Sequence, residues 1–244
     1  MSRSKRVKKI ILLCLLMICF IGAAVLAWLS FSLYRPLLDA RQVYQALQSE
    51  YGSSISEASK WQQMLANYPN AVGWLKAPDL GIDYPVMQAS DNDYYLNHLP
   101  DGTQNPVGSV FMDAQNSNDL TDPLTILYGH HVGDGEMFSS LIQYREQDFL
   151  QQHPVMYYIT AEQVWEIQIF AAHEAGAQTD YLWNYSGLQK EEREEWFQEL
   201  SARADTWLDI LTSDDKLMVL VTCASLRTQA PRCIVYGVVK EMTQ

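Results

Sequence analysis

An uncharged run of 25 residues, 10–34, lies close to the amino terminus of this chain and limits the structures that this region can form. As an α-helix rising about 1.5 Å per residue, the run would span about 37 Å, more than the roughly 30 Å hydrocarbon core of a bilayer. Five basic residues precede it, which predicts that the amino-terminal end stays in the cytoplasm. The sequence therefore predicts a single-pass anchor in the cell membrane, with the rest of the chain outside the cell.

Two other interpretations of this run are less favourable. A cleaved signal peptide has an apolar stretch of about 7–15 residues followed by a small-x-small cleavage site, whereas this run is longer and ends in WLSFSLY. A core helix of a soluble domain is also less favourable, because such helices commonly keep one polar face and none is visible here at helical spacing. The predicted organisation is a cytoplasmic tail at 1–9, a transmembrane helix at 10–34, a helical segment at 35–70 and a main domain at 71–244.

The charge distribution separates the two parts of the chain and excludes one class of partner. Residues 1–35 carry six basic side chains and no acidic one, whereas residues 36–244 carry 11 basic and 29 acidic side chains. Nucleic-acid affinity depends mainly on cationic side chains that neutralise phosphates. The acidic body is therefore not expected to bind nucleic acid.

The body is predicted to be mostly β with helical additions. Two helices are expected between residues 36 and 68, and further helices near 136–144 and 188–204, the last with a capping box at Ser186 and Gln189. Short apolar runs between turn residues predict strands at 72–76, 82–87, 107–112, 124–128, 155–159, 164–172, 217–222 and 234–240. Many short strands at irregular spacing indicate a closed or nearly closed β-barrel.

Three residues at strand boundaries have the chemistry of a nucleophilic site. Cys223 ends one apolar strand and His130 ends another, before a Gly-rich turn. A thiol with a pKa near 8.5 needs a neighbouring imidazole to react at neutral pH. Arg232 begins a strand, where its guanidinium could stabilise an oxyanion. The alternatives are a binding module with a Cys223–Cys233 disulfide and a zinc site with weak ligand spacing.

Five motifs, in order, resemble those of class B sortases. They are GWLKAPDLGIDYPVMQ (73–88), DNDYYLNH (91–98), GTQNPVGSVFMD (102–113), LYGHHVGDGEMFSSLIQY (127–144) and LVTCASLRTQAPRCIVYG (220–237). The resemblance implies a sortase-like closed eight-stranded β-barrel. It also implies two N-terminal helices and a long helix between strands six and seven, all preceded by one transmembrane helix.

The resemblance further implies a cysteine transpeptidase without cofactor or metal. Cys223 would attack the carbonyl of a threonine in the sorting signal of an exported protein, in motifs such as Asn-Pro-x-Thr-x or Ser/Asn-Pro-x-Thr-Gly. His130 would move the proton, and Arg232 would hold the oxyanion or substrate backbone. The amine nucleophile would come from a peptidoglycan precursor or a pilin subunit. Substrate-binding positions carried over from relatives are Asn92, Leu96 and Thr222.

Several details of the resemblance leave alternatives. His131 competes with His130, and Arg227 with Arg232; the family pattern favours the first histidine, and the strand that follows favours Arg232. The usual Thr-Leu-x-Thr-Cys reads Val219-Leu-Val-Thr-Cys223, so one hydroxyl is absent. Cys233 stands where relatives carry an apolar residue, and it is expected to pack into the barrel wall. The remaining functional alternatives are an inactive sortase-like binding module on the membrane and a plain cysteine peptidase.

Overall fold

The computed structural model describes residues 3–53, 55–132, 135–176, 182, 184–223 and 232–242. Their contacts divide the chain into two compact units, residues 1–42 and 43–244. The first helix, α1, runs from Arg3 to Leu47 with Pro36 inside it. The first of the two N-terminal helices expected from the sequence is therefore continuous with the apolar helix instead of beginning at Pro36.

Helix α1 contains the apolar run, and by length and composition it can cross a membrane. Its apolar side chains are exposed, for example Leu33 and Phe20, so it is not a core helix of a soluble domain. A long exposed apolar helix is stable only where lipid or another apolar surface covers it. The prediction of one long apolar N-terminal helix is confirmed.

The larger unit consists of short helices and strands in the following chain order. After a π-helical turn at Gln48–Gly52 come α2 (Ala58–Asn67), β1 (Ala71–Ala77), β2 (Ile82–Met87), β3 (Val110–Met112), β4 (Leu124–His130), α3 (Gln147–Gln152), β5 (Val155–Ile159), β6 (Val164–Ala175), α4 (Asn184–Gly187), α5 (Lys190–Arg203), β7 (Thr206–Trp207), β8 (Leu217–Cys223) and β9 (Arg232–Glu241). Short 3₁₀ helices cover Pro78–Leu80, Tyr94–Leu96 and Ser139–Arg145.

Eight of these strands close into a barrel, as the sequence predicted. The ring runs β1–β2–β3–β4–β8–β9–β6–β5 and returns to β1. The pairs β2–β3 and β4–β8 are parallel, and the other pairs in the ring are antiparallel. The two-residue strand β7 pairs beside β6 and was not predicted, because two residues leave no periodic signal.

The parallel pair β4–β8 determines where the functional residues lie. Both strands are apolar along nearly their whole length, as expected for strands buried on both faces. Parallel neighbours end at the same edge of a sheet, so the last residues of β4 and β8 meet there. Strand β9 is antiparallel to β8 and begins at that same edge.

The long helix predicted between the sixth and seventh strands is α5, and it packs on the β4–β8–β9 sheet. It begins with a capping box of Gln189 and Glu192, so the box predicted at Ser186 and Gln189 was wrong by three residues. Ser186 instead belongs to the short helix α4, which ends at Gly187. The apolar side of α5 joins a buried cluster with these three strands: Trp196, Phe197, Leu200, Ile126, Val219, Val221, Ile234 and Tyr236.

Strand β3 is shorter than predicted for a backbone reason. The apolar pattern begins at Val107, but Gly108 has φ of +61°, a left-handed conformation that interrupts an extended strand. A Cβ at this position would lie 2.6 Å from the Tyr95 carbonyl oxygen. The chain before β3 is therefore a tight turn that packs directly against the backbone of residues 95–96.

Candidate active site

The ends of β4 and β8 bring His130 and Cys223 into direct register. The two residues are Cα partners at the last position of the parallel ladder, after the pair Gly129 and Thr222. The backbone of Cys223 is described, whereas its side chain lies outside the described part of the chain. The closed barrel thus places side by side two residues that lie 93 positions apart in the sequence.

The glycine before His130 is required by close packing. A Cβ at Gly129 would lie 2.7 Å from Cγ of Phe138, which is fully buried. Phe138 returns to the strand and donates its backbone N–H to the His130 carbonyl at 3.0 Å. Phe138 therefore packs against β4 and fixes the backbone of His130.

The His130 imidazole is held by a backbone carbonyl. Its Nε2 lies 2.7 Å from the carbonyl oxygen of Leu96. A carbonyl can only accept, so Nε2 carries the proton and Nδ1 is the other ring nitrogen, available to exchange one. Burial lowers the pKa of His130 below 6.5, and the hydrogen bond to Leu96 opposes that shift. At neutral pH the imidazole is therefore mainly uncharged.

The stretch that provides this carbonyl, residues 91–98, is here named the Leu96 segment. Its start is fixed by Asp91, whose Oδ1 accepts the backbone N–H groups of Asp93 and Tyr94 at 2.9 and 2.8 Å. Its middle rests on the turn before β3, where the Ser109 N–H donates to the Tyr95 carbonyl at 2.9 Å. The carbonyl that binds His130 therefore belongs to a well-anchored loop.

Arg232 begins β9 at the same edge of the sheet. The β8–β9 ladder ends at Val221 and Ile234, and two further steps along each strand lead to Cys223 and Arg232. The Arg232 side chain is partly buried, and its Nε has no hydrogen-bond partner among the described residues. A buried guanidinium donor without a partner can bind an anionic or carbonyl oxygen that enters the site.

Thr222 links β8 to β9 just before the site. Its side chain is buried, and its Oγ1 accepts the Cys233 backbone N–H at 2.8 Å. Cys233 itself is a buried free cysteine whose Sγ lies 3.4 Å from the Leu141 carbonyl oxygen. The expected packing of Cys233 in the wall is confirmed, and the alternative of a Cys223–Cys233 disulfide is wrong.

Asn92 and Leu96 both lie in the Leu96 segment, but the Asn92 amide is already engaged. Its Nδ2 donates to Oδ2 of Asp113 at 3.0 Å, and its Oδ1 accepts the Ala114 N–H at 2.8 Å. Asp113 also accepts the Tyr128 hydroxyl at 2.9 Å. Sequence reasoning missed Asp113 as a functional candidate, although a carboxylate directly after an apolar strand was a usable signal.

The other histidines and the competing arginine lie elsewhere or outside the described residues. The backbone of His131 forms an isolated bridge with Met137. The remaining three histidines have local partners: His98 stacks on Tyr94, His153 contacts Asp79, and His173 stacks on Tyr236. Arg227 lies outside the described residues.

Comparison with known proteins identifies the family. The family model described as the Sortase domain matches residues 75–240, about two thirds of the chain. The chain belongs to the sortase family. Sortase B of Listeria monocytogenes is 33% identical over 189 residues, which cover 76% of this chain and 75% of that protein.

Solved structures of sortase B have the same fold. A crystal structure of sortase B complexed with triglycine matches with a TM-score of 0.75 and 26% identity, covering 83% of this chain and 98% of that one. A Staphylococcus aureus sortase B–substrate complex matches with a TM-score of 0.70 and 25% identity, covering 87% and 96%. Family membership makes this protein a sortase-type transpeptidase, associated with the cell surface.

Proposed function

We propose that this protein is a class B-type cysteine transpeptidase that uses Cys223, His130 and Arg232. The observation that carries the proposal is the register pairing of His130 with Cys223 at the ends of adjacent parallel strands. Register partners project from the same face of a sheet, which is the arrangement that a thiol and its imidazole partner need. Arg232 begins the next strand of the same sheet and supplies the positive charge.

In the first step, the Cys223 sulfur attacks the carbonyl carbon of the threonine in the sorting signal. The thiol proton passes to Nδ1 of His130, and the negative charge develops on the threonine oxygen. When the C–N bond breaks, His130 returns the proton to the departing amine. The products are a thioester between Cys223 and the threonine carbonyl and the released carboxyl-terminal peptide.

In the second step, a primary amine attacks the thioester carbonyl. Nδ1 of His130 accepts a proton from that amine, and the C–S bond breaks as the amide forms. The sulfur leaves as the thiolate and then takes the proton from His130, which restores the thiol and the neutral imidazole. Because Nε2 stays bonded to the Leu96 carbonyl throughout, one ring nitrogen performs both proton transfers.

Arg232 is proposed to bind the oxyanion of both tetrahedral intermediates through its guanidinium N–H groups. Arg232→Lys keeps the charge but loses the planar fork, so we expect kcat/KM to fall about 100-fold, in the range known for oxyanion donors. Steady-state cleavage of a sorting peptide measures this. Activity within about twofold of wild type would contradict the assignment.

The substrates are proposed to be exported proteins that carry an Asn-Pro-x-Thr-type sorting signal. The proposed anchor, residues 10–34, would hold the catalytic domain, residues 71–244, on the outer face of the membrane, with the amino-terminal tail in the cytoplasm. Leu96 is proposed to contact the sorting signal, whereas Asn92 and Thr222, whose polar groups are already hydrogen-bonded within the protein, are proposed to support the groove that binds it. The amine would come from a peptidoglycan precursor or a pilin subunit.

The experiment that tests the function measures how the acyl group is partitioned. The full chain in detergent is incubated with an Asn-Pro-x-Thr peptide library, with and without triglycine as amine. We expect a threonyl–triglycine amide to form at the expense of the hydrolysed product. If the amount of hydrolysed product is unchanged when amine is added, the protein is a plain cysteine peptidase. No cleavage of any peptide would favour the inactive binding module.

A further inference from the structure

A buried carboxylate lies between the strand that carries His130 and the loop that binds it. Asp113 follows β3 and is 1% exposed. Its Oδ2 accepts the Tyr128 hydroxyl at 2.9 Å and the Asn92 Nδ2 at 3.0 Å, and its Oδ1 accepts the Gln115 N–H at 2.9 Å. A buried carboxylate is stable only when its oxygens are hydrogen-bonded in this way.

Both side-chain partners of Asp113 belong to elements that position His130. Tyr128 precedes His130 by two residues in β4, so the two side chains lie on the same face of the sheet. Asn92 is near the start of the Leu96 segment, whose Leu96 carbonyl accepts from His130 Nε2 at 2.7 Å. The contacts thus form a closed circuit that begins and ends at His130 and passes through one carboxylate.

We propose that Asp113 is a positioning residue for His130. By holding Tyr128 and Asn92 with one oxygen, it fixes the distance between β4 and the Leu96 segment and keeps the Leu96 carbonyl on Nε2. The proton then stays on Nε2, and Nδ1 is kept available for the reaction. The effect on turnover rests on the proposed function; the effect on the imidazole does not.

The protonated nitrogen of an imidazole depends on the groups that hydrogen-bond to the ring. A neutral histidine has two tautomers, and the partner of one nitrogen determines which nitrogen carries the proton. A backbone carbonyl in a loop can do this only if the loop does not move relative to the strand. Displacing a catalytic group by about 1 Å can lower the rate about 100-fold, so a rigid link between the loop and the strand has a large effect on turnover.

The test uses two variants and a matched control in the full chain. Asp113→Ala removes the link, and Tyr128→Phe removes one hydroxyl and is the gentler change. The control is Asp122→Asn. Like Asp113, Asp122 is a carboxylate that binds the stretch after β3: its Oδ2 accepts from Asn116 Nδ2 at 2.8 Å and from the Ser117 N–H at 2.7 Å. Neither of these hydrogen bonds involves the Leu96 segment.

Two readouts separate positioning from mere stability. The ¹⁵N shifts of the imidazole, assigned with His130→Ala, should report Nε2–H in wild type and in Asp122→Asn. Asp113→Ala and Tyr128→Phe should show a mixture of tautomers. With a sorting peptide, these two variants should lose about 10- to 100-fold in kcat with little change in KM, whereas the control should keep its kcat.

The positioning role of Asp113 can be contradicted without contradicting the proposed transpeptidase function, and the reverse also holds. An unchanged Nε2–H signal and kcat in both folded Asp113→Ala and Tyr128→Phe would overturn the proposal, even if their melting temperatures fall. If wild type shows no transpeptidation, the tautomer readout still decides the positioning claim. If Asp113→Ala does not fold, Tyr128→Phe alone carries the test, judged by the same two signals.

Discussion

Replacing Cys223 with alanine is expected to abolish both peptide cleavage and amine transfer, with a loss of at least about 10⁴-fold in kcat. Removing the nucleophile of a covalent mechanism eliminates the acyl-enzyme route and leaves only the contribution of binding and oxyanion stabilisation. The substitution lies at the end of β8, so the barrel should remain folded. The measurement is single-turnover cleavage with and without triglycine, alongside thermal unfolding.

The matched control is Cys233→Ala, ten residues away on the adjacent strand. Burial raises the pKa of the Cys233 thiol to about 12, so it is not a nucleophile at neutral pH. This variant should keep its activity and lose some stability, because a buried side chain is shortened. Cleavage that survives in Cys223→Ala but disappears in Cys233→Ala would reverse the assignment.

The second large effect is expected at His130. His130→Gln should lower kcat by about 10²- to 10⁴-fold, the usual contribution of general acid–base catalysis. Glutamine can still donate to the Leu96 carbonyl, so the loop should keep its position while the transferable proton is lost. Single-turnover acylation and aminolysis rates, measured separately, should both decrease.

The adjacent histidine provides the matched control for that experiment. His131 follows the end of β4, and its backbone bridges to Met137, so His131→Gln should leave both rates nearly unchanged. Equal losses in the two variants would mean that the turn is needed only for folding. A larger loss in His131→Gln would assign the proton transfer to the second histidine instead.

The sequence predicted the strands of the site better than it predicted their contacts. Leu124–His130 and Leu217–Cys223 are continuous apolar runs, and such runs are visible without a structure. Their parallel pairing is a long-range property of the barrel and leaves no local signal. The approach of Cys223 to His130 was therefore inferred from chemistry and resemblance, not from periodicity.

The loop contacts were the least predictable part of the site. The Leu96 segment is held internally by its own Asp91, and from outside by hydrogen bonds with Ser109 and Asp113, which lie directly before and after β3. Gly108 was not singled out, because a glycine needed for a close backbone approach looks in sequence like any turn glycine. Contacts of this kind depend on tertiary packing, which a single sequence does not encode locally.

Observing the acyl-enzyme is the most direct test of whether Cys223 is the nucleophile. The full-length protein is mixed with a sorting peptide without amine, quenched in acid and digested, and the peptide that contains Cys223 is analysed by mass spectrometry. We expect a mass increase on Cys223 equal to the threonyl-terminated part of the substrate, removed by hydroxylamine and lost on addition of triglycine. Turnover of the peptide with unmodified Cys223, or with the adduct on another residue, would contradict it.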